Sequence, residues 1–148
     1  MSIVDRIEMR SIDYGSDEYE VSIDIRNEAF RKPWGMDIRD EDLTGDKDMD
    51  LYGAYLDGTM IATVFLTEDD KDTARVKSVA ILKEYRKQGL GTYLMDFIEN
   101  IARERGYTKV NLMGRVSVEE FYHKLGYKTI SEPYDYHTIP HVDMTKNL

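Results

Sequence analysis

The chain contains no cysteine. That removes a disulfide framework, a thiol nucleophile and every thiolate metal site at once. It has no run of about 18 apolar residues that would read as a membrane-spanning helix, and no charged-then-apolar leader opens it. Basic residues are scarce: 20 Lys and Arg stand against 29 Asp and Glu, for a formal net charge of −9. Binding a polymer of phosphates needs a basic surface, so nucleic acid is a poor partner for this composition. With 148 residues, 41% of them hydrophobic and 33% charged, the chain is long enough to bury a core as one domain over residues 1–148. These features predict a soluble, unprocessed, cytoplasmic protein.

What is present concentrates in one stretch, Arg75–Arg105. An apolar strand, Val76–Leu82, runs into the turn Lys83–Gly91. A helix follows from Thr92, with Leu94, Phe97, Ile98 and Ile101 at helical spacing. No Ser, Thr, Asp or Asn stands at the expected cap of this helix. It opens on Gly89 and Gly91, so its first N–H groups are not claimed by a side chain and no Cβ blocks an approaching anion. A helix start carries roughly half a unit of positive charge and makes a ready cradle for a pyrophosphate. Lys83, Arg86 and Lys87 add a cationic cluster on an acidic background, which suits a small anionic ligand better than a polymer. No Gly-Lys-Ser/Thr follows, so the turn is not a P-loop.

The other segments supply the frame. Arg6–Ile12 alternates as a strand, and Val21, Ile25, Ala29 and Phe30 space a helix over Glu18–Phe30 that ends before Pro33. Met36–Asp50 carries seven acidic residues against Arg39 and Lys47; it reads either as a solvated loop with a short helix or as an acidic lip drawing in a cationic amine. Leu51–Leu56 and Met60–Thr67 form a hairpin about Asp57-Gly58. Glu68–Asp72 turns into the central strand, and Lys109–Met113 is the next strand. Ser117-Val118-Glu119-Glu120 reads as a capping box opening a short helix to Leu125. Tyr127–Ile130 and His141–Thr145 close the chain as strands, around a Tyr-rich loop Pro133–Pro140. This order predicts an α/β (α+β) fold, a mixed and mostly antiparallel sheet with helices on both faces.

Arg86-x-x-Gly89-x-Gly91 after a strand resembles the acetyl-CoA signature of the GNAT N-acetyltransferase superfamily. Phe121-Tyr122-His123-Lys124-Leu125-Gly126-Tyr127 resembles its second landmark, and Ile139-Pro140-His141-Val142-Asp143-Met144 resembles a small bacterial branch of it. The likeness covers about Asp50–Thr145. It implies that acetyl-CoA is the co-substrate, with its diphosphate on the turn Arg86, Lys87, Gln88, Gly89, Leu90, Gly91 and Thr92. It further implies that backbone groups of Val79, Ala80 and Ile81 pair with the pantetheine arm like an added strand, where the central strand splays from its neighbour. Tyr122 matches the acid that protonates the leaving thiolate, its plainer role being a core aromatic. Lys124 matches a neighbour of the nucleotide end. One departure is Arg115, where many members carry Asn or Gln; Arg115 reaches either a phosphate or the acceptor.

The expected reaction is direct acetyl transfer to a primary amine in a ternary complex, the alternative being a non-catalytic acyl-CoA-binding sensor. Deprotonating an alkyl amine at pH 7 costs about 4 kcal/mol. His141 is the favoured base, with Glu68, Glu84 and a relayed water as the other candidates. His137 and His141 flank a proline without a third ligand type, so no metal is expected. Phe30, Trp34, Tyr134 and Tyr136 are candidates to line a pocket for a small-molecule or peptide acceptor. No membrane partner is expected, and dimerisation is foreseen through the C-terminal strands.

Overall fold

In the computed structural model, which describes residues 2–148, Asp57 and Gly58 both take positive φ, 51° and 85°. That conformation lets a two-residue turn match the twist of the strands it joins. The turn closes the hairpin of β2 (Asp50–Leu56) and β3 (Thr59–Asp70). With β1 (Ile7–Ile12), β4 (Thr73–Ile81), β5 (Lys109–Arg115), β6 (Lys128–Thr129), β7 (Tyr134–Tyr136) and β8 (Ile139–Asn147), these make one eight-stranded sheet. The order is β1-β2-β3-β4-β5-β8-β6, with β7 also paired to β8. Every pairing is antiparallel except β4 with β5.

The expected mixed sheet with helices on both faces is present. On one face α2 (Leu90–Glu104) buries Leu90, Leu94, Met95, Ile98 and Ala102 against Val64, Leu66, Val76, Val110 and Leu112, and Tyr122 of α3 (Glu119–Lys124) joins the same core. On the other face α1 (Asp17–Phe30) packs Tyr19, Ile23 and Ala29 against Met60, Phe65 and Ala80.

Four expectations need correction. Val21 is 42% exposed; the inward side of α1 instead carries Ser22, Arg26 and Asn27 among its apolar residues. Ser22 donates to the Tyr19 carbonyl within α1 at 2.6 Å, and Arg26 and Asn27 are buried because they hold the segment after α1. Tyr19 Oη and Arg26 Nη1 each donate to Asp46 Oδ2 at 2.8 Å. Asn27 accepts from the Ile38 N–H at 2.8 Å and donates to Asp37 at 3.2 Å. The acidic stretch is therefore not a freely solvated loop. It is two short 3-10 turns, Ile38–Asp40 and Thr44–Asp48, strapped to α1, with Asp46 buried.

The Ser117 capping box does not form: Val116–Val118 is a 3-10 turn, no side chain caps α3, and Glu119 accepts from the Thr129 hydroxyl instead. Lastly, the Tyr-rich loop contains β7, which folds back onto Ile139–His141 through His137 and Thr138, both at positive φ. Among the described residues, no helix is long and apolar enough to cross a membrane.

Candidate functional site

The site starts from a defect in pairing. β4 and β5 pair only through Thr73–Arg75 with Lys109–Asn111. Beyond Arg75 they separate, leaving about 20 Å of β4, Val76–Ile81, without a partner on that side. A bulge lies within this free length. Ser78 sits at φ 55°, the β3 register slips between Thr63 and Phe65, and Thr63 Oγ1 donates to the Ser78 carbonyl at 2.7 Å. One extra residue inverts the alternation of a strand. Val76 accordingly faces the α2 core, whereas Ala80, four residues later, faces the α1 core and Val79 and Ile81 turn toward α2. The sequence signal for the bulge was the polar pair Lys77-Ser78 breaking an apolar run.

At the open end of the cleft stands the glycine turn. Gly89 caps α2 at φ 83° with no side-chain hydrogen bond, and a Cβ there would meet no atom within 4 Å. Lys87 also takes positive φ, 61°. Arg86 Nε donates to the Ile81 carbonyl at 2.9 Å and Gln88 Nε2 to the Glu84 carbonyl at 3.2 Å. Arg86, Lys87, Gln88 and Thr92 are exposed, while Leu90 is a core residue.

Gly91 differs from the expectation: a Cβ on it would lie 2.9 Å from Phe121 Cζ. Its missing side chain makes room for α3 rather than for an anion. Gly91→Val is thus expected to destabilise the protein by about 1–3 kcal/mol through overpacking, besides weakening cofactor binding as α2 shifts. Thermal unfolding without ligand reads the first effect and calorimetry the second. An unchanged melting temperature would show that Phe121 yields freely.

Tyr122 is 8% exposed, and its ring lies 3.4 Å from where a Gly114 Cβ would stand, against the free side of β5. Its hydroxyl makes no hydrogen bond to the described residues. Burial pushes its pKa up to about 12, an effect that the nearby Arg115 opposes. Lys124 is exposed in the last turn of α3.

The opposite face of β5 and β8 carries the other candidates. Arg115 and His141 are register partners. His141 is buried, its Nδ1 is 2.7 Å from the Ile139 carbonyl, and its ring meets Tyr136 edge-on at 5.5 Å. A carbonyl only accepts, so Nδ1 carries the proton and Nε2 keeps its lone pair. Burial lowers the His141 pKa from its usual value, with Arg115, Arg31 and His137 adding to the effect against the Ile139 hydrogen bond.

Of the other bases considered, Glu84 is exposed in the turn before α2. Glu68 is not brought to the site: it pairs with Ala74, where β4 and β5 are still joined, and accepts from the Tyr107 hydroxyl at 2.8 Å. Roughly 20 Å of strand separates it from Ile81.

Phe30 lies 5.5 Å beneath the Arg115 guanidinium, and Arg31 makes a two-pronged bond to Glu41 at 2.6 and 3.1 Å. Gly35, Met36, Asp37, Asp40, Glu41 and His137 border an open depression of ≈ 430 Å³, and Trp34, Tyr134 and Tyr136 remain exposed. Among the described residues, no group of three His, Asp or Glu side chains is placed to hold a metal ion.

A sheet opened between two parallel strands, with an uncapped glycine turn at its mouth, defines an acyl-CoA N-acyltransferase fold. The chain belongs to the acetyltransferase (GNAT) family, whose model matches residues 19–127. It is similar to YyaT of Bacillus subtilis (strain 168), 42% identical over 51% of each chain. It is also similar to YitI, an uncharacterized N-acetyltransferase of the same organism, 31% identical over 65% of this chain and 69% of YitI. The chain spans about half the length of the curated relatives it matches at the highest identity. In fold it is similar to a GNAT family acetyltransferase from Elizabethkingia anophelis solved with acetyl-CoA bound. That match has a TM-score of 0.75 at 20% identity and covers 97% of this chain and 99% of the other.

Proposed function

We propose that this protein transfers an acetyl group from acetyl-CoA to a primary amine by direct attack. The observation that carries the proposal is the cleft between β4 and β5 ending at the uncapped Gly89 turn. Open N–H groups at Gly89–Thr92, with Arg86 and Lys87 beside them, suit a diphosphate. The unpaired edge of β4 at Val79–Ile81 suits the amides of a pantetheine arm. Lys124 is assigned to the nucleotide end.

The thioester supplies the acetyl group. The amine nitrogen bonds to its carbonyl carbon as the carbon–sulfur bond breaks, and two protons move. His141 Nε2 takes one from the amine, directly or through one water, and the Tyr122 hydroxyl gives one to the departing thiolate. Burial makes Tyr122 a weaker acid, but the thiolate formed in the same dry cleft has its proton affinity raised for the same reason, so the two stay matched.

Two experiments test the reading. Calorimetry with acetyl-CoA should show binding, and thiol release on adding an amine panel should show turnover. Binding without thiol release from any amine would make the protein a sensor instead.

His141→Gln keeps size and hydrogen bonding but removes the base. It is expected to lower kcat/KM for the acceptor roughly 10–10²-fold. It should also abolish the acidic limb of the pH profile. That limb falls below the ordinary imidazole value, because activity is lost as pH drops through a lowered pKa. A variant that retains the limb would move His141 to a binding role.

A further inference from the structure

Arg115 stands apart from the cations around it. The chain holds 29 acidic against 20 basic residues, yet no carboxylate lies within ion-pair distance of Arg115 among the described residues. The groups acting on its charge are Arg86, Tyr122 and Arg31, after burial itself, which lowers its proton affinity most. An arginine stays charged under such conditions, so the half-buried guanidinium keeps its charge and lacks a counter-ion.

Its neighbours are either paired or exposed to solvent. Arg31, the other arginine at this end of α1, is occupied by both oxygens of Glu41. Arg86 donates to a backbone carbonyl beside the glycine turn.

The side of the sheet also matters. Val110, Leu112 and Gly114 face α2 and Tyr122, so Arg115 points the other way, to the α1 face, over Phe30 and in register with His141. The helix start assigned to the diphosphate is on the α2 side, packed on Phe121. The amine must approach the thioester from the side that carries the base, which is the side of Arg115.

We propose that Arg115 binds a carboxylate of the acceptor, so that the substrates are primary amines bearing a free carboxylate, such as amino acids. This rests on the transferase reading above and narrows it. The planar guanidinium supplies paired donors that match a carboxylate, and such charge-assisted bonds are about twice as strong as neutral ones. The anion would bind the N–H groups of the guanidinium that lies over Phe30, with the amine directed toward His141.

The test is a thiol-release assay at saturating acetyl-CoA. The proteinogenic L-amino acids and ω-amino acids such as β-alanine and 4-aminobutyrate are each compared with their own carboxamide. The wild-type protein is expected to favour the acid over its amide by at least roughly tenfold in kcat/KM, expressed in KM. Arg115→Gln should bring that ratio close to one, and Arg115→Lys should restore part of it. Whether α- or ω-amino acids give the higher value identifies the spacing between the amine and the carboxylate.

An amide preferred over its acid by the wild-type protein overturns the proposal without any variant. An Arg115→Gln protein that keeps the acid preference while losing acetyl-CoA affinity in calorimetry overturns it too, and gives Arg115 to the cofactor. No thiol release from any amine, with acetyl-CoA still bound, removes the transferase reading and this proposal with it.

Discussion

Tyr122→Phe is expected to lower kcat by roughly 10²–10³-fold while acetyl-CoA affinity changes little, because only the transition state loses a proton donor. The environment of the ring makes this a clean substitution. Phe121 and Tyr127 hold it edge-on at 5.0 and 5.7 Å, and Gly114 backs it. None of these contacts uses the oxygen. The hydroxyl makes no hydrogen bond among the described residues, so the phenylalanine variant should unfold at about the same temperature. Steady-state kinetics and thermal unfolding measured together separate the two roles. Turnover within a few-fold of wild type would leave Tyr122 as a packing residue.

Asp46→Ala should have an effect of similar size on stability. The Arg26 and Asp46 side chains are only 7% and 8% exposed, and Arg26 Nε is already without a partner. Its guanidinium lies over Phe65 at 4.8 Å, deep in the α1 core. Removing the carboxylate strands the cation and frees the Tyr19 hydroxyl, a loss of about 3–5 kcal/mol. For a chain of this size that is a fall of roughly 6–20 °C in melting temperature. The paired variant Arg26→Met with Asp46→Leu should recover most of it, since an apolar pair carries no desolvation cost. A loss under about 1 kcal/mol for Asp46→Ala would mean that water reaches Arg26 freely.

The difference between what the sequence revealed and what it concealed follows the range of the forces involved. The helix after Gly89 was legible because Leu94, Phe97, Ile98 and Ile101 repeat at helical spacing, and the β2–β3 hairpin because Asp-Gly tolerates positive φ. Both signals are local. The Arg86–Gly91 turn was likewise legible from its glycines and basic residues, whereas Tyr122 came from the resemblance of Phe121–Tyr127 to a family landmark.

What was missed depends on partners far along the chain. Asp46 looks like one more solvated carboxylate until Arg26, 20 residues earlier, is brought to it. Ser117 has the composition of a cap, but it lies inside the 3-10 turn Val116–Val118, which leaves Val118 at the cap position of α3. Gly91 looked like space for an anion because Phe121, which needs that space, lies 30 residues downstream. Arg115 could be marked as unusual from sequence, whereas its lack of a counter-ion could only be seen in three dimensions.

The short parallel contact between β4 and β5 has a mechanical consequence. Strands β1–β4 form one leaf and β5–β8 another, and the hydrogen-bonded hinge between them is three residues long. The leaves are otherwise sutured by side chains, with α2 inserted between them in sequence and packed across both. Any molecule that supplies amide partners inside the cleft therefore works as a zip. It ties the two leaves together, and its binding energy adds to folding stability, about 2.7 kcal/mol at a hundredfold excess over Kd. Hydrogen exchange should map that suture: with acetyl-CoA added, protection should rise first along Val76–Ile81 and Leu112–Arg115 and least in β1. Protection spread evenly over the sheet would mean that the two leaves already move as one plate.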